Sequence, residues 1–289
     1  MPTDDLRDDQ SIQTAVRNLF FGSVPERKSN LSQMWLDLEP KFQLTPDAHE
    51  GENIVMDAGA YRYVRFNYRV LRAFWIAGYT AWEGSRLIAE STPLHALQLE
   101  HFNSLIAAFE KTISSDRPEL EALPAGVAEP GSYADASTEP QSRAAGELAT
   151  IAVAWALLHE VRHIRHQREG TGADPYGSDA TEKHREEFSC DEFATTFLLE
   201  QIDQYALETN QSAELVRQKR QLGIYFGLFA VALLAKDKWG DSDTHPSLQR
   251  RLDAVRALME PHKAVLSAAM AHAAFGTLQT VWPKAPNPY

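Results

Sequence analysis

Two histidines and a glutamate stand in the pattern H-E-x-x-H at His159, Glu160 and His163. The surrounding run contains no Gly or Pro and predicts a helix, on which residues four positions apart share a face. Two imidazole nitrogens on one face can bind a zinc ion at about 2 Å each. Glu160 would then lie close enough to accept a proton from a metal-activated water as general base. The stretch therefore predicts the site of a zinc-dependent peptidase.

A short motif of this kind also arises by chance on the solvated face of a helix. Here the two turns before the motif, residues 151–158, are apolar throughout. The helix is therefore expected to be buried where the motif lies, and buried histidine and glutamate side chains need polar partners. Burial favours the metal site over the solvated face.

A catalytic zinc ion keeps three protein ligands and one position for water. His166 shares the face of the motif histidines, but three ligands on one helix would spread over about 10 Å of its axis. Glu187 is the better third ligand, because the next predicted helix presents it on one face with Asp191. Asp191 would hydrogen-bond the outer nitrogen of a metal-binding histidine. Cys190 is expected to be a small packing residue, and whether it or His166 contacts the metal stays open.

A solvated acidic face is the plain alternative for this second helix, and on its own the segment would favour that alternative. Glu186 and Glu192 fall off the face that Glu187 and Asp191 share, so both are expected in solvent. Only the combination with the H-E-x-x-H motif favours a metal site between two helices.

The composition is that of an ordinary globular protein, with 289 residues, 44% hydrophobic and 24% charged. A net charge of −12 disfavours non-specific binding to nucleic acid or anionic membrane. The single cysteine excludes an intrachain disulfide, the N-terminus lacks the order of a signal peptide, and the apolar stretch 222–234 is shorter than the roughly 20 residues of a membrane span. We therefore expect a cytoplasmic protein with no membrane span and no nucleic-acid partner.

Periodicity and turn residues predict a mainly α fold with at most a small sheet. Residues 1–50 are expected to form an N-terminal accessory segment, and residues 51–289 a single helical domain. Length favours a helix over 58–90 against a competing strand alternation, and the only plausible edge strand in the long loop before the motif helix is 123–127. Helices are further predicted at 11–21, 31–38, 94–113, 144–168, 180–208, 212–239, 247–259 and 262–282.

The order of three motifs resembles that of gluzincin metallopeptidases. Residues 187–194 are similar to the E-x-x-A-D-x-x-A element of that group, and residues 245–252 to the H-P-x-x-x-x-R-[IV] segment of HtpX-like and CAAX-processing peptidases. Cys190 and Leu252 depart from those patterns, and the membrane spans of these peptidases have no counterpart here. Length, acidity and helical layout also resemble the phage-exclusion (Lit-like) peptidases, which cleave a translation elongation factor.

The resemblance implies a zincin-like (minigluzincin) core in which His159, His163 and Glu187 hold Zn2+. It also places His245 and Arg251 near the site, where we expect them to stabilise the oxyanion. The expected function is endopeptidase cleavage of a cytoplasmic protein, such as a translation or regulatory factor. Two alternatives stay open: a non-catalytic zinc-containing regulatory or scaffold protein on a gluzincin core, and a repressor-cleaving (ImmA/IrrE-like) peptidase.

Overall fold

The computed structural model describes residues 9–38, 56–59, 63–66, 68–90, 98–174 and 176–288. The helices are α1 (Asp9–Ser23), α2 (Lys28–Leu38), α3 (Tyr68–Glu90), α4 (Glu100–Ser114), α5 (Pro140–Glu169), α6 (Ala180–Leu199), α7 (Ile202–Thr209), α8 (Ala213–Ala235), α9 (Leu248–Met259) and α10 (Val265–Val281). Within these ranges the only sheet is an antiparallel hairpin of β1 (Met56–Gly59) and β2 (Tyr63–Phe66). The prediction of a mainly α protein is confirmed.

Helix α5, which carries the H-E-x-x-H motif, lies at the centre of the molecule and packs against α3, α6 and α8. Its approach to α8 depends on two glycines. A Cβ atom on Gly223 would lie 2.5 Å from Cβ of Ile151, and one on Gly227 would lie 2.9 Å from the ring of Trp155. Glycine disfavours a helix interior, so its presence twice along α8 reflects the close contact it permits. The apolar half of α5 is thereby held against α8.

Helix α5 is also long and apolar enough to cross a membrane, by length and composition alone. In the folded protein, however, 89% of its most apolar window is buried inside the molecule. The core helix of a globular protein has the same composition, so this is weak evidence for a membrane span. The apolar stretch 222–234 lies within α8, which is likewise largely buried.

Three predicted elements differ from the structure. The single helix expected over 58–90 is a strand followed by α3, because residues 63–66 pair with β1; residues 60–62 and 67 lie outside the described residues. The edge strand expected at 123–127 is a turn, closed by the N–H of Val127 on the carbonyl of Pro124 at 3.1 Å. The helix expected over 180–208 breaks at Gln201, whose φ of 61° is left-handed.

The N-terminal helix α1 packs against α5, and its Val16, Leu19 and Phe20 belong to the main hydrophobic core. The segment after α1 is held to α8 by an ion pair between Glu26 and Arg220, which is 2.9 Å long and buried at both ends. The division of the chain at residue 50 stays a prediction. Residues 1–8 and 39–50, and the predicted helix start at 94–97, lie outside the described residues.

Candidate metal centre

The two helices that form the site are separated by a short connection with defined ends. Helix α5 ends at Gly170, whose φ of 67° is the left-handed conformation that glycine adopts without a steric penalty. Helix α6 begins after Asp179, whose carboxylate accepts the N–H of Glu182 at 3.0 Å. These two caps fix where the chain leaves α5 and where it returns to pack against it.

The predicted ligands converge at the interface of α5 and α6. Nε2 of His159 lies 3.1 Å from Nε2 of His163. Glu187 completes a triangle, with Oε2 3.4 Å from Nε2 of His159 and Oε1 3.3 Å from Nε2 of His163. Zinc bonds of about 2.0–2.2 Å at tetrahedral angles place two ligand atoms roughly 3.3 Å apart. The three side chains therefore have the separations that one zinc ion requires.

The outer nitrogens of both histidines are bound to carboxylates. Nδ1 of His159 lies 2.9 Å from Oδ1 of Asp191, and Nδ1 of His163 lies 2.7 Å from Oε1 of Glu186. Because an ionised carboxylate only accepts, each Nδ1–H donates, and Nε2 is the nitrogen of each ring that is available to a metal ion. The two Nε2 atoms, 3.1 Å apart, can share one proton or bind one cation between them.

Glu187 provides a second indication that the site suits a cation. Its side chain is buried, and Oε2 has no hydrogen-bond partner among the described residues. A buried carboxylate oxygen without a partner is costly, and a metal ion would remove that cost. Arg251 lies near the carboxylates of Glu187 and Asp191, and Glu186 pairs with His163 instead. The residues present therefore fit a divalent metal ion.

The pKa shifts within the cluster follow from these contacts. Burial would raise the pKa of Glu187, but the two motif histidines and Arg251 hold it well below its usual range. Burial would likewise raise the pKa of Asp191, but Arg251 and His159 lower it. Conversely, burial would lower the pKa of His159, and its two carboxylate partners raise it instead. Both carboxylates are thus held in the ionised form in which they bind metals or orient histidine.

Arg251 lies one turn into α9 and holds Asp191 with two hydrogen bonds. Its Nε donates to Oδ2 at 2.8 Å and its Nη2 to Oδ1 at 2.7 Å, and both side chains are buried. Nη1 lies 3.6 Å from Oε2 of Glu187. The guanidinium is thus engaged with the residues around the ligands. Its contacts favour a positioning role over the predicted contact with an oxyanion.

Cys190 offers a second set of three donors. Its sulfur and the ligand nitrogens of His159 and His163 all lie within 4.8 Å of one another. Burial raises the pKa of the Cys190 thiol to about 11, so the thiol is protonated at neutral pH. Glu187 fits the pair of histidines better, because it is ionised and its oxygens lie within 3.4 Å of both Nε2 atoms.

The structure does not bring His166 into the cluster. Its Nδ1 lies 2.8 Å from Oγ1 of Thr171, and its Nε2 lies 3.0 Å from Oγ of Ser189. Both ring nitrogens are therefore used by hydroxyl groups, which tie the end of α5 to the following loop and to α6. The third motif-helix histidine stabilises the connection between the two helices.

Glu160 and His245 line a cleft of about 1150 Å³ that opens beside the histidines. Glu160 is buried, with 5% of its surface exposed. His245 lies at the rim with its side chain 59% exposed, and its Nε2 is 3.6 Å from Oε1 of Glu187. The cleft is walled by the loop after α5, by the C-terminal end of α8 and by the loop before α9. Its apolar lining includes Trp155, Val231, Leu234, Ala235 and Leu248.

The sequence did not predict the role of Glu186. It was expected in solvent, and this was wrong: one oxygen binds His163 and the other accepts the N–H of Ala173 at 2.5 Å. Glu186 is one position away from Glu187 on the helix, about 100° around its axis, so helical periodicity assigns it to another face. Only the position of the loop before α6 brings a partner to that face. Glu192, expected in solvent as well, is exposed.

Residues 64–271, well over half of the chain, match the family model of peptidase U49. The match includes α3 through α9, and with them every residue of the candidate metal centre. Neither the curated proteins nor the solved structures that were compared give a match.

Proposed function

The chain belongs to the peptidase U49 family, and we propose that it is a zinc-dependent endopeptidase with a zincin-like core. The observation that carries this proposal is the triangle formed by His159, His163 and Glu187, with sides of 3.1, 3.3 and 3.4 Å. Two histidines and one carboxylate are a donor set of catalytic zinc sites, in which the remaining position is open. The cleft beside this triangle supplies space for a peptide segment.

His159, His163 and Glu187 would hold the ion, and Asp191 and Glu186 would orient the two histidine rings. When bound at such a site, zinc lowers the pKa of water to about 7 and polarises a carbonyl group. Glu160 then acts as the general base: it accepts a proton from the attacking water and returns it to the leaving amine. Glu160 lines the cleft although only 5% of its surface is exposed, so its carboxylate can reach a water in the cleft while the rest of the side chain is packed.

His245 is the proposed donor to the oxyanion. It stands at the rim of the cleft with Nε2 3.6 Å from Oε1 of Glu187, and its side chain remains accessible to a substrate. Partial desolvation of the ring beside the site and the nearby Arg251 lower its pKa against the opposing charge of Glu187, which favours the neutral ring, a donor through one nitrogen. Its Nδ1 lies 2.8 Å from the hydroxyl of Thr244, so Nε2 is the nitrogen turned towards the site.

Cys190 supports one alternative, a zinc site with a structural role only. Structural zinc sites close all four positions with Cys or His, and this sulfur lies near both motif histidines. We favour the catalytic site because Glu160 is placed at an accessible cleft, where a structural site would need no general base. The proposed substrate is a cytoplasmic protein, such as a translation or regulatory factor. Nucleic acid and a membrane span are not part of the proposal.

Comparison of wild type with Glu160→Gln tests the proposed function. New protein N-termini are mapped by mass spectrometry after each protein is expressed in cells, and the bound zinc of each purified protein is measured. We expect cleavage sites that depend on the wild type, and full zinc content in both proteins. If Glu160→Gln produced the same N-termini as the wild type, the mechanism would be wrong. Absence of zinc from the wild type, reconstituted with excess ion, would contradict the metal site.

A further inference from the structure

Glu186 contacts two parts of the site with its two oxygens. Oε1 accepts Nδ1–H of His163 at 2.7 Å, and Oε2 accepts the backbone N–H of Ala173 at 2.5 Å. Ala173 belongs to the loop at residues 170–174, and Gly170, Gly172, Ala173 and Asp174 all line the catalytic cleft. One carboxylate therefore joins a proposed metal ligand to a wall of the cleft.

The rest of this loop is anchored on the helix before it. The N–H groups of Thr171 and Gly172 donate to the carbonyl of His166, at 2.9 and 3.1 Å. These bonds cap α5 and need no metal. The N–H of Ala173 is the point at which the loop reaches across to α6, and its acceptor is the side chain of Glu186. Asp174, the next residue, is held within the connection by Ser178, so the contact of the loop with α6 at Ala173 depends on the position of one carboxylate.

Resting on the metal site of the proposed function, we propose that Glu186 couples metal binding at His163 to the order of the loop 170–174. A cation at Nε2 makes the Nδ1–H of His163 a stronger donor and holds Oε1 of Glu186 in place. The same rotamer presents Oε2 to Ala173, so the loop closes against α6. Glu186 is a positioning residue, and through it zinc binding further stabilises the contact between Ala173 and α6.

Coupling of this kind is reciprocal, because a change in the free energy of one binding event by another must act equally in both directions. If the ordered loop strengthens zinc binding by about tenfold, zinc must favour the ordered loop by the same factor. A substrate that displaces the loop would therefore weaken zinc binding at His163. A substrate that stabilises the loop would in turn tighten the hold on the ion.

Hydrogen exchange tests the coupling without any substrate. The full chain is stripped of metal, reloaded with Zn2+, and compared in both states by exchange of the amides at residues 171–174. In the wild type we expect exchange at Ala173 to slow by about tenfold on loading. Glu186→Gln keeps one oxygen that can accept the Nδ1–H of His163. Its other group is an amide NH2, which is only a donor and cannot accept the N–H of Ala173. In this variant we expect no slowing at saturating zinc, and zinc affinity about 10- to 100-fold weaker.

Glu192→Gln is the matched control, since Glu192 is an exposed glutamate on the same helix. It should behave as the wild type in both measurements. Ala173→Pro provides a second route, because proline removes the N–H and leaves the contact between Glu186 and His163 intact. It should weaken zinc binding although residue 173 contacts no ligand.

The outcomes separate this inference from the proposed function. If the wild type binds zinc and exchange in the loop is unchanged, the coupling is wrong and the metal site stands. Slow exchange retained in Glu186→Gln, or unaltered zinc affinity in a folded Ala173→Pro, would overturn the coupling as well. If the wild type binds no zinc, the metal site fails and the coupling fails with it.

Discussion

Asp191 and Arg251 form a buried ion pair with two hydrogen bonds, of 2.7 and 2.8 Å, across 60 positions of the chain. Oδ1 of Asp191, which receives one of these bonds, also accepts Nδ1–H of His159 at 2.9 Å. Helix α9 therefore contributes to the candidate metal centre without supplying one of its proposed ligands. Its Arg251 holds the carboxylate of Asp191, and that carboxylate orients the ring of His159.

Replacing Arg251 should weaken both the fold and the metal site. Arg251→Ala leaves Asp191 as a buried charge without its guanidinium, which typically costs about 3–5 kcal/mol of stability. The looser Asp191 should lower zinc affinity by about 10- to 100-fold. Urea unfolding and competition with a zinc chelator measure the two effects.

Arg250→Ala is the control: this neighbour is half exposed and pairs with Asp241 at the surface, so its loss should change stability by less than about 0.5 kcal/mol. Normal stability and zinc affinity in Arg251→Ala, with slow cleavage, would restore the predicted oxyanion role.

Cobalt substitution distinguishes Glu187 from Cys190 as the third ligand. A thiolate bound to Co2+ gives an intense charge-transfer band in the near ultraviolet, whereas nitrogen and oxygen donors do not. We expect the wild type to lack that band and Cys190→Ala to bind Co2+ as tightly as the wild type. Glu187→Ala should lose more than about 100-fold in affinity, beyond the cost of losing an outer partner. The band in the wild type, absent in Cys190→Ala, would instead support the closed structural site.

Local periodicity carried much of what the sequence predicted. His159 and His163 fall one turn apart on an apolar helix, so their shared face follows from helix geometry alone. Glu187 and Asp191 repeat that spacing on the next helix, and the motif order joined the two helices. The structure brings these four side chains together. Their spacing within each helix is a local property of the chain, and for that reason the sequence could predict it.

The features that the sequence did not predict are contacts between segments that lie far apart in the chain. Glu186 binds His163 because the loop at Ala173 and the face of α5 both reach it, and no pattern within α6 encodes that. The hairpin was obscured because the alternation at residues 63–66 runs directly into a helix. In the same way, the pairing of Arg251 with Asp191 requires α9 to lie against α6, which spacing along the chain cannot specify.

His245 should affect cleavage and leave metal binding unchanged. Its Nε2 is 3.6 Å from Glu187, its side chain is largely exposed, and it is not needed to complete the ligand triangle. Loss of one oxyanion donor typically lowers kcat by about 10²–10³-fold. We therefore expect His245→Ala to reduce kcat by that amount on the substrate identified by N-terminal mapping, with zinc content intact. His245→Gln should recover part of the rate, since an amide can still donate. An effect on KM alone would indicate that His245 binds substrate before the chemical step.

The approach of α8 to α5 should be sensitive to a single methyl group. In Gly223→Ala the new Cβ would lie 2.5 Å from Ile151, eight residues before His159 on the same helix. Because Ile151 is buried and cannot swing away, the helices must separate, at a cost of about 1–3 kcal/mol. Gly276→Ala is the matched control: it is also a helix glycine, but a Cβ there meets nothing within 4 Å, so it should gain up to about 1 kcal/mol from helix propensity.

Urea unfolding of both variants gives the comparison, and Ile151→Ala in the Gly223→Ala background supplies the missing space. The two substitutions should show a favourable coupling, because the smaller side chain at 151 admits the new methyl group. Zinc affinity should fall in Gly223→Ala and recover in the double variant, since the contact with α8 holds the helix that carries both histidines. Equal stabilisation by Gly223→Ala and Gly276→Ala would mean that α8 does not hold α5 this closely. A loss of stability without any loss of zinc affinity would mean that the ligands are positioned by α6 and α9 alone.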